Sequence, residues 1–273
     1  MAHDNVTRGG RVEPLTSKDR LIVALDVPTV SEAVAAVDRL DNVSFFKVGW
    51  QVFMSGVLSG DLRLLLDRLR GARIFLDLKI PGDIDNTIGA VVELCASLHN
   101  VIFLTLSDSM PARSIRAAAA ARDARQSPTP KLLTVPLLSS LDSSDLAAIA
   151  GKGVTVEEYV LGRARTALGA GCDGVIVSGA AIGTCREGLG RHVPIVSPGV
   201  RPAGSAADDQ KRTTTPGDAI RLGADYLVVG RPITKAPNPR EAAARIIDEI
   251  DAALARRGST AAVEDVLKRA VDV

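Results

Sequence analysis

The sequence predicts an α/β fold: a single-domain, closed (β/α)₈ barrel of parallel strands. Three observations predict it. Short apolar runs alternate with helically spaced segments eight times along the chain. The length of 273 residues suits one such barrel. The polar residues Asp26, Lys47, Asp77, Lys79, Ser140, Ser178, Pro198 and Arg231 fall at or just past the C-terminal ends of strands, the rim where these barrels build active sites. Each alone also reads as an ordinary loop-facing residue; eight on one rim are hard to assign to chance.

In chain order, residues 21–26 form an apolar first strand ending in a carboxylate. Their helix, 31–40, has apolar spacing at Ala33, Val34, Val37 and Leu40. The second strand, 44–49, ends in Lys47-Val48-Gly49, and a helix runs through Leu62, Leu65, Leu66 and Leu69. The third strand begins at Ile74 and its helix covers 84–98. Strand four, 101–106, precedes an alanine-rich helix at 112–125, and strand five, 131–138, runs into Ser139 and Ser140. Helical pieces follow at 144–149 and 156–168, then strands six (173–178) and seven (193–197). A polar loop, 198–215, leads to a short helix at 216–222, strand eight at 225–230 and a last helix at 239–254. The barrel is expected over 21–258, with a disordered extension at 1–20 and a C-terminal helical tail at 259–273.

Composition excludes several functions. With 33 basic and 32 acidic residues the net charge is +1, so no basic field advertises nucleic acid, and 3% aromatics argue against base-stacking platforms. No apolar run is long enough to span a membrane, and the polar start does not read as a signal peptide. Cys95, Cys172 and Cys185 lack paired spacing, as expected of reduced thiols in a cytoplasmic protein. His3, His99 and His192 are equally scattered, so no transition-metal site is expected.

The stretch 74–87, Ile-Phe-Leu-Asp-Leu-Lys-Ile-Pro-Gly-Asp-Ile-Asp-Asn-Thr, organises the chain. Asp77 and Lys79 are two apart on a strand and so share a face. Pro81 and Gly82 stop the strand, and Asp83 or Asp85 can cap the next helix. Lys79, between Asp77 and Asp83, should stay protonated. The stretch supports two readings: a structural ion pair, or a fixed proton donor beside a fixed negative charge. Ser197-Pro198-Gly199 and Gly230-Arg231-Pro232 follow strands seven and eight, the usual phosphate grip of such barrels, although Arg231 alone could be a surface cation.

Several motifs together resemble the orotidine 5′-phosphate decarboxylase family: Ala24-Leu25-Asp26, Lys47-Val48-Gly49, Asp77-Leu78-Lys79, Asp83-Ile84-Asp85-Asn86-Thr87, Gly171-Cys172-Asp173-Gly174-Val175, Asp208-Asp209-Gln210-Lys211-Arg212 with Thr215-Pro216, and the run from Gly223 to Thr234. The resemblance covers residues 21–254 in the family's order. It departs in three places. Ile80-Pro81-Gly82 separates Lys79 from Asp83, where the family usually has two residues; strand five is longer; and strand four ends Thr105-Leu106-Ser107 instead of carrying the usual Asn and His. The extra residue is expected to be absorbed at Pro81-Gly82, since glycine permits backbone angles that others avoid.

The resemblance implies a TIM barrel of the ribulose-phosphate-binding type that converts orotidine 5′-phosphate to uridine 5′-phosphate, the last step of pyrimidine biosynthesis, without cofactor or metal. It implies Lys79 as proton donor, Asp77 facing the substrate carboxylate, Lys47 holding Asp77 and a ribose hydroxyl, and Asp26 on another ribose hydroxyl. Ser140 (Ser139 being the alternative) and Pro198 would meet the pyrimidine, while Gln210, on a mobile loop, Gly230 and Arg231 would bind phosphate. Asp83 and Thr87 would act in trans across a homodimer. The nearest rival is a magnesium-dependent 3-keto-L-gulonate 6-phosphate decarboxylase-like barrel, against which the Gln210 loop and Asn86-Thr87 speak. A catalytically silent phosphosugar-binding barrel is a further alternative, since fold alone does not fix function.

Overall fold

The structure is a computed structural model that describes residues 15–125, 129–202 and 213–271, with side chains as far as residue 257. The elements run α1 (Ser17–Arg20), β1 (Leu21–Ala24), α2 (Val30–Asp38), β2 (Phe45–Gly49), α3 (Trp50–Ser59), α4 (Leu62–Arg68), β3 (Arg73–Ile80), α5 (Asp85–Ala96), β4 (Val101–Leu106) and α6 (Ala112–Ala124). There follow β5 (Lys131–Thr134), α7 (Ser143–Ala150), α8 (Val156–Gly169), β6 (Gly174–Ile176), α9 (Ala181–Leu189), β7 (Ile195–Ser197), α10 (Pro216–Leu222), β8 (Tyr226–Val229), α11 (Arg231–Thr234) and α12 (Pro239–Val271). The eight strands close in sequence order, each parallel to its neighbours, with β8 pairing β1 through Ile22 and Val228. This is the expected (β/α)₈ TIM barrel.

Strand alternation divides the core. Outward residues such as Leu21, Val23, Phe46, Leu76 and Leu104 pack with the helices into one buried layer. Inward residues, including Ile22, Phe45, Phe75, Phe103, Leu133 and Val228, plug the barrel. Phe103 is the hub of this plug, with ring centroids 5.5 Å from Phe45, 5.8 Å from Phe75 and 5.0 Å from Tyr226.

The differences from expectation have local causes. β5 stops at Thr134 instead of reaching residue 138, because Pro136 has no N–H for a ladder. The unanticipated α3 ends at Gly60, whose φ of 80° lies in the left-handed region and separates it from α4. α9 and α11 were also not anticipated. Residues 17–20, expected in the disordered extension, form α1, capped by Thr16 and Asp19. Asp19 pairs with Arg73 (2.9 Å) and Arg20 donates to the Asp225 carbonyl (3.0 Å), so α1 bridges the starts of β3 and β8. The helical tail expected at 259–273 is continuous with α12, which runs to Val271. Among the described residues, no helix is long and apolar enough to cross a membrane.

Candidate active site

The inward positions one step beyond the plug carry the chemistry. Past Phe45 comes Lys47, past Phe75 comes Asp77, and past Phe103 comes Thr105, each two residues on and therefore on the same face. Asp26 stands two residues past Ala24 on β1. These side chains form a line of alternating charge across β1, β2 and β3. Lys47 Nζ lies 2.7 Å from Asp26 Oδ1 and 3.2 Å from Asp77 Oδ2, and Lys79 Nζ lies 2.8 Å from Asp77 Oδ1. Gly49 gives the line room: a Cβ there would fall 2.7 Å from Asp26 Oδ1 and 3.1 Å from Lys47 Nζ.

The line is most buried at its centre. The side chains of Lys47 and Asp77 are 9% and 13% exposed, against 34% for Lys79 and 53% for Asp26. Burial by itself would lower the pKa of Lys47, but Asp77 and Asp26 outweigh it and hold the ammonium above its ordinary value. Burial would likewise raise Asp77, and the two lysines outweigh it, holding the carboxyl below the usual range. The centre is therefore charged at neutral pH.

Lys79 reaches Asp77 through an irregularity. Leu76 pairs with Leu104, and the next registered pair is Ile80 with Leu106, so β3 spends four residues where β4 uses two. Lys79 takes a φ of 44° in this bulge, a left-handed conformation that costs a residue with a Cβ roughly 1–2 kcal/mol. Its backbone N–H donates to Thr105 Oγ1 at 2.8 Å.

Around the line opens a cleft of about 970 Å³. Going round the rim, it is lined by Ser139 after β5, Ser178 after β6, Pro198, Gly199 and Arg201 after β7, and Gly230 and Arg231 after β8. Gly199 has a φ of 71°, so the turn after Pro198 requires glycine. The expected phosphate grip thus stands beside Asp26, because β8 neighbours β1. Among the described residues, no group of three or more His, Cys, Asp or Glu side chains is arranged to hold a metal ion. The three cysteines are buried, and burial pushes Cys95 and Cys185 to about 11 and Cys172 to about 12, far from a reactive thiolate.

The sequence profile of the orotidine 5′-phosphate decarboxylase / HUMPS family matches residues 19–246. The chain belongs to that family. It is 44% identical over 240 residues to the orotidine 5′-phosphate decarboxylase of Rhodopseudomonas palustris (strain BisA53), covering 88% of this chain and 97% of the relative. It is also 44% identical over 237 residues to that of Methylococcus capsulatus, covering 85% and 92%. The crystal structure of orotidine 5′-phosphate decarboxylase from Lactobacillus acidophilus superposes with a TM-score of 0.70 at 32% identity, covering 85% of this chain and 98% of that one.

Within this member of the orotidine 5′-phosphate decarboxylase / HUMPS family, several expected residues converge and others do not. Asp26, Lys47, Asp77, Lys79, Pro198, Gly230 and Arg231 all line the cleft. Ser140 does not: of the two neighbouring serines it is Ser139 that lines the cleft, while Ser140 is exposed. The cause is the early end of β5, since alternation cannot be counted through the bend at Pro136. Lys79 does not sit between two carboxylates of its own chain, for among the described residues Asp77 is its side chain's partner and Asp83 is exposed. Asp83 instead accepts from the Ile84 amide (2.7 Å). Neither Asp83 nor Asp85 caps α5, whose N-cap is Ile84. Gly82 does not take a left-handed angle; it is needed for close packing, since a Cβ would fall 2.7 Å from Pro111 Cδ. Thr87 is exposed with Asp83 along residues 81–87. Gln210 lies outside the described residues. Thr105 was noted only as a departure from the family; its inward register two beyond Phe103 is the signal that finds it.

Proposed function

We propose that the chain decarboxylates orotidine 5′-phosphate to uridine 5′-phosphate without cofactor, with Lys79 as the proton donor. The observation that carries this reading is the Asp26–Lys47–Asp77–Lys79 line in the cleft, with one ammonium at its open end. Carbon dioxide leaves C6 of the pyrimidine, and the electron pair left there is stabilised by the Lys79 ammonium, which then transfers its proton to the carbon. Asp77 is held in place from both sides by lysines, so these charges need not reorganise during reaction. Lys47 and Asp26 meet the ribose hydroxyls, Pro198 and Ser139 the pyrimidine, and Gly230, Arg231 and Gln210 the phosphate, whose remote binding assists the chemical step.

The same reading makes the chain a homodimer in which Asp83 and Thr87 complete the partner's site. Two exposures support it. Residues 81–87 are exposed throughout, with Ile84 60% exposed, immediately after β3. On α3, immediately after the neighbouring β2, Trp50, Met54, Val57 and Leu58 are exposed at helical spacing. A site of this kind belongs to a barrel domain spanning residues 21–258.

Purified protein should remove the ultraviolet absorbance of orotidine 5′-phosphate, and do so in excess chelator. No loss of absorbance overturns the reaction, and a chelator-sensitive loss favours a metal-dependent site. The shared site is tested by mixing Lys79→Ala and Asp83→Ala homodimers under subunit exchange. About half the dimers become hybrids with one intact site each, so roughly a quarter of wild-type activity should return. A mixture that stays inactive shows that Asp83 serves its own subunit.

A further inference from the structure

The left-handed Lys79 and the split carboxylate of Asp77 meet at one buried hydroxyl. We infer that Thr105 is a positioning residue that holds the Lys79–Asp77 pair in its reactive geometry. This inference rests on the proposed decarboxylation and adds a residue that reading does not use. Thr105 is fully buried. Its Oγ1 accepts from the Lys79 backbone N–H at 2.8 Å, and lies 3.1 Å from Asp77 Oδ1, to which its own proton is donated. Among the described residues its other acceptor is the Leu76 carbonyl at 3.4 Å, longer and therefore weaker, and uncharged.

The consequences follow from atom counting. Asp77 Oδ1 receives both Lys79 Nζ and Thr105 Oγ1, while Oδ2 receives Lys47 Nζ. Three donors on two elements and one bulge therefore fix the plane of the carboxylate. At the same time the hydroxyl accepts the Lys79 amide inside the bulge, between the Leu76–Leu104 and Ile80–Leu106 pairs. Without it, that part-buried N–H would lose this acceptor, and Lys79 would have less reason to remain left-handed. Thr105 touches neither the leaving carboxylate nor C6 in this scheme; it acts through Asp77 and Lys79.

The experiment compares Thr105→Val, which keeps the shape and removes the hydroxyl, with Thr105→Ser, which keeps the hydroxyl. For Thr105→Val, kcat should fall about 10²-fold, the scale of a misplaced catalytic group, while the affinity for uridine 5′-phosphate stays within about threefold. Thr105→Ser should recover kcat to within about fivefold of wild type, a rescue that simple loss of packing would not produce. In a crystal structure of Thr105→Val, Lys79 should leave the left-handed region or its Nζ should leave Asp77. If the valine variant does not fold, Thr105→Ala is used with the same expected loss. Wild-type kcat in the valine variant, a serine variant as impaired as valine, or an unchanged Lys79 in the crystal structure each overturns the inference. If the wild type itself fails to decarboxylate the nucleotide, the proposed reaction falls, and the crystallographic comparison alone decides the role of Thr105.

Discussion

Both ends of the barrel carry partly buried ion pairs, but they are wired differently. At the N-terminal end, Arg73 pairs with Asp19, Arg122 with Asp173 and Arg186 with Asp225. These groups have further partners. Arg186 also donates to the carbonyls of Gly223, Gly190 and Val193, and Arg73 lies 4.7 Å above the Phe45 ring. The carboxylates accept strand amides, Asp173 from Leu132 (2.7 Å) and Asp225 from Ile195 (2.9 Å). In the line at the C-terminal end the cations are Lys47 and Lys79, whose ammonium groups engage the carboxylates of Asp26 and Asp77. Lys79 uses one of its three donors on Asp77 and is a third exposed to the cleft. The same charges thus do two jobs: multiply bonded pairs fasten strand starts, and a line with one ammonium open at its end faces the cleft.

Four measurements break or sharpen that contrast. The largest effect is expected at the open end of the line. Lys79→Ala should lower kcat by at least about 10³-fold while uridine 5′-phosphate still binds within a few-fold of wild type. Turnover above a few per cent of wild type would mean that the lysine is as structural as the arginines below. Next, Arg231→Ala should cost about 10²-fold in kcat/KM on the phosphorylated substrate and under about threefold on the bare nucleoside, because the proposed grip on phosphate would be lost only where phosphate is present. Equal losses on both substrates would move Arg231 to the structural class.

At the opposite end the readout should reverse. Arg186→Ala should lower unfolding stability by about 2–4 kcal/mol, since it strands Asp225 and three carbonyls, yet leave kcat of the folded enzyme within about twofold. A selective loss of kcat there would erase the distinction. The smallest effect concerns pH. Asp77 is held below its ordinary 3.8, so its stabilisation is intact above that value and is lost as pH falls through the folded value. Lys47 is held above its ordinary 10.5, so its stabilisation is intact below that value and is lost as pH rises through the folded value. Urea unfolding from about pH 3 to about pH 11 should therefore show these contributions at the two edges; in Asp77→Asn the acid-edge contribution should vanish and the alkaline-edge one should shrink, Asp26 still pairing with Lys47. Titration of this stabilisation near neutrality would contradict the charge assignment.

The contrast also explains which residues the chain announces. Asp26, Lys47, Asp77 and Lys79 end apolar runs, where a charge is out of place, and strand direction assigns them to the C-terminal rim. Asp173 and Asp225 precede their strands, so the same reasoning sends them to the other end. Thr105 was harder to see because threonine is an ordinary strand residue, and only its depth beneath the mouth gives its hydroxyl a task.

The sequence by itself determined the eight strands and the helix after each except the sixth, the parity that puts Asp77 and Lys79 on one face, and the motifs that match the family. These are local patterns, written in periods of two and about 3.6 residues that survive without knowledge of neighbours. Only the tertiary structure decided that Ser139 and not Ser140 meets the cleft, that Lys79 is left-handed, and that Thr105 joins it to Asp77. Each of these depends on how one strand registers against the next, at Pro136 or in the bulge of β3 against β4, and register is a relation between distant segments that no single run of residues contains.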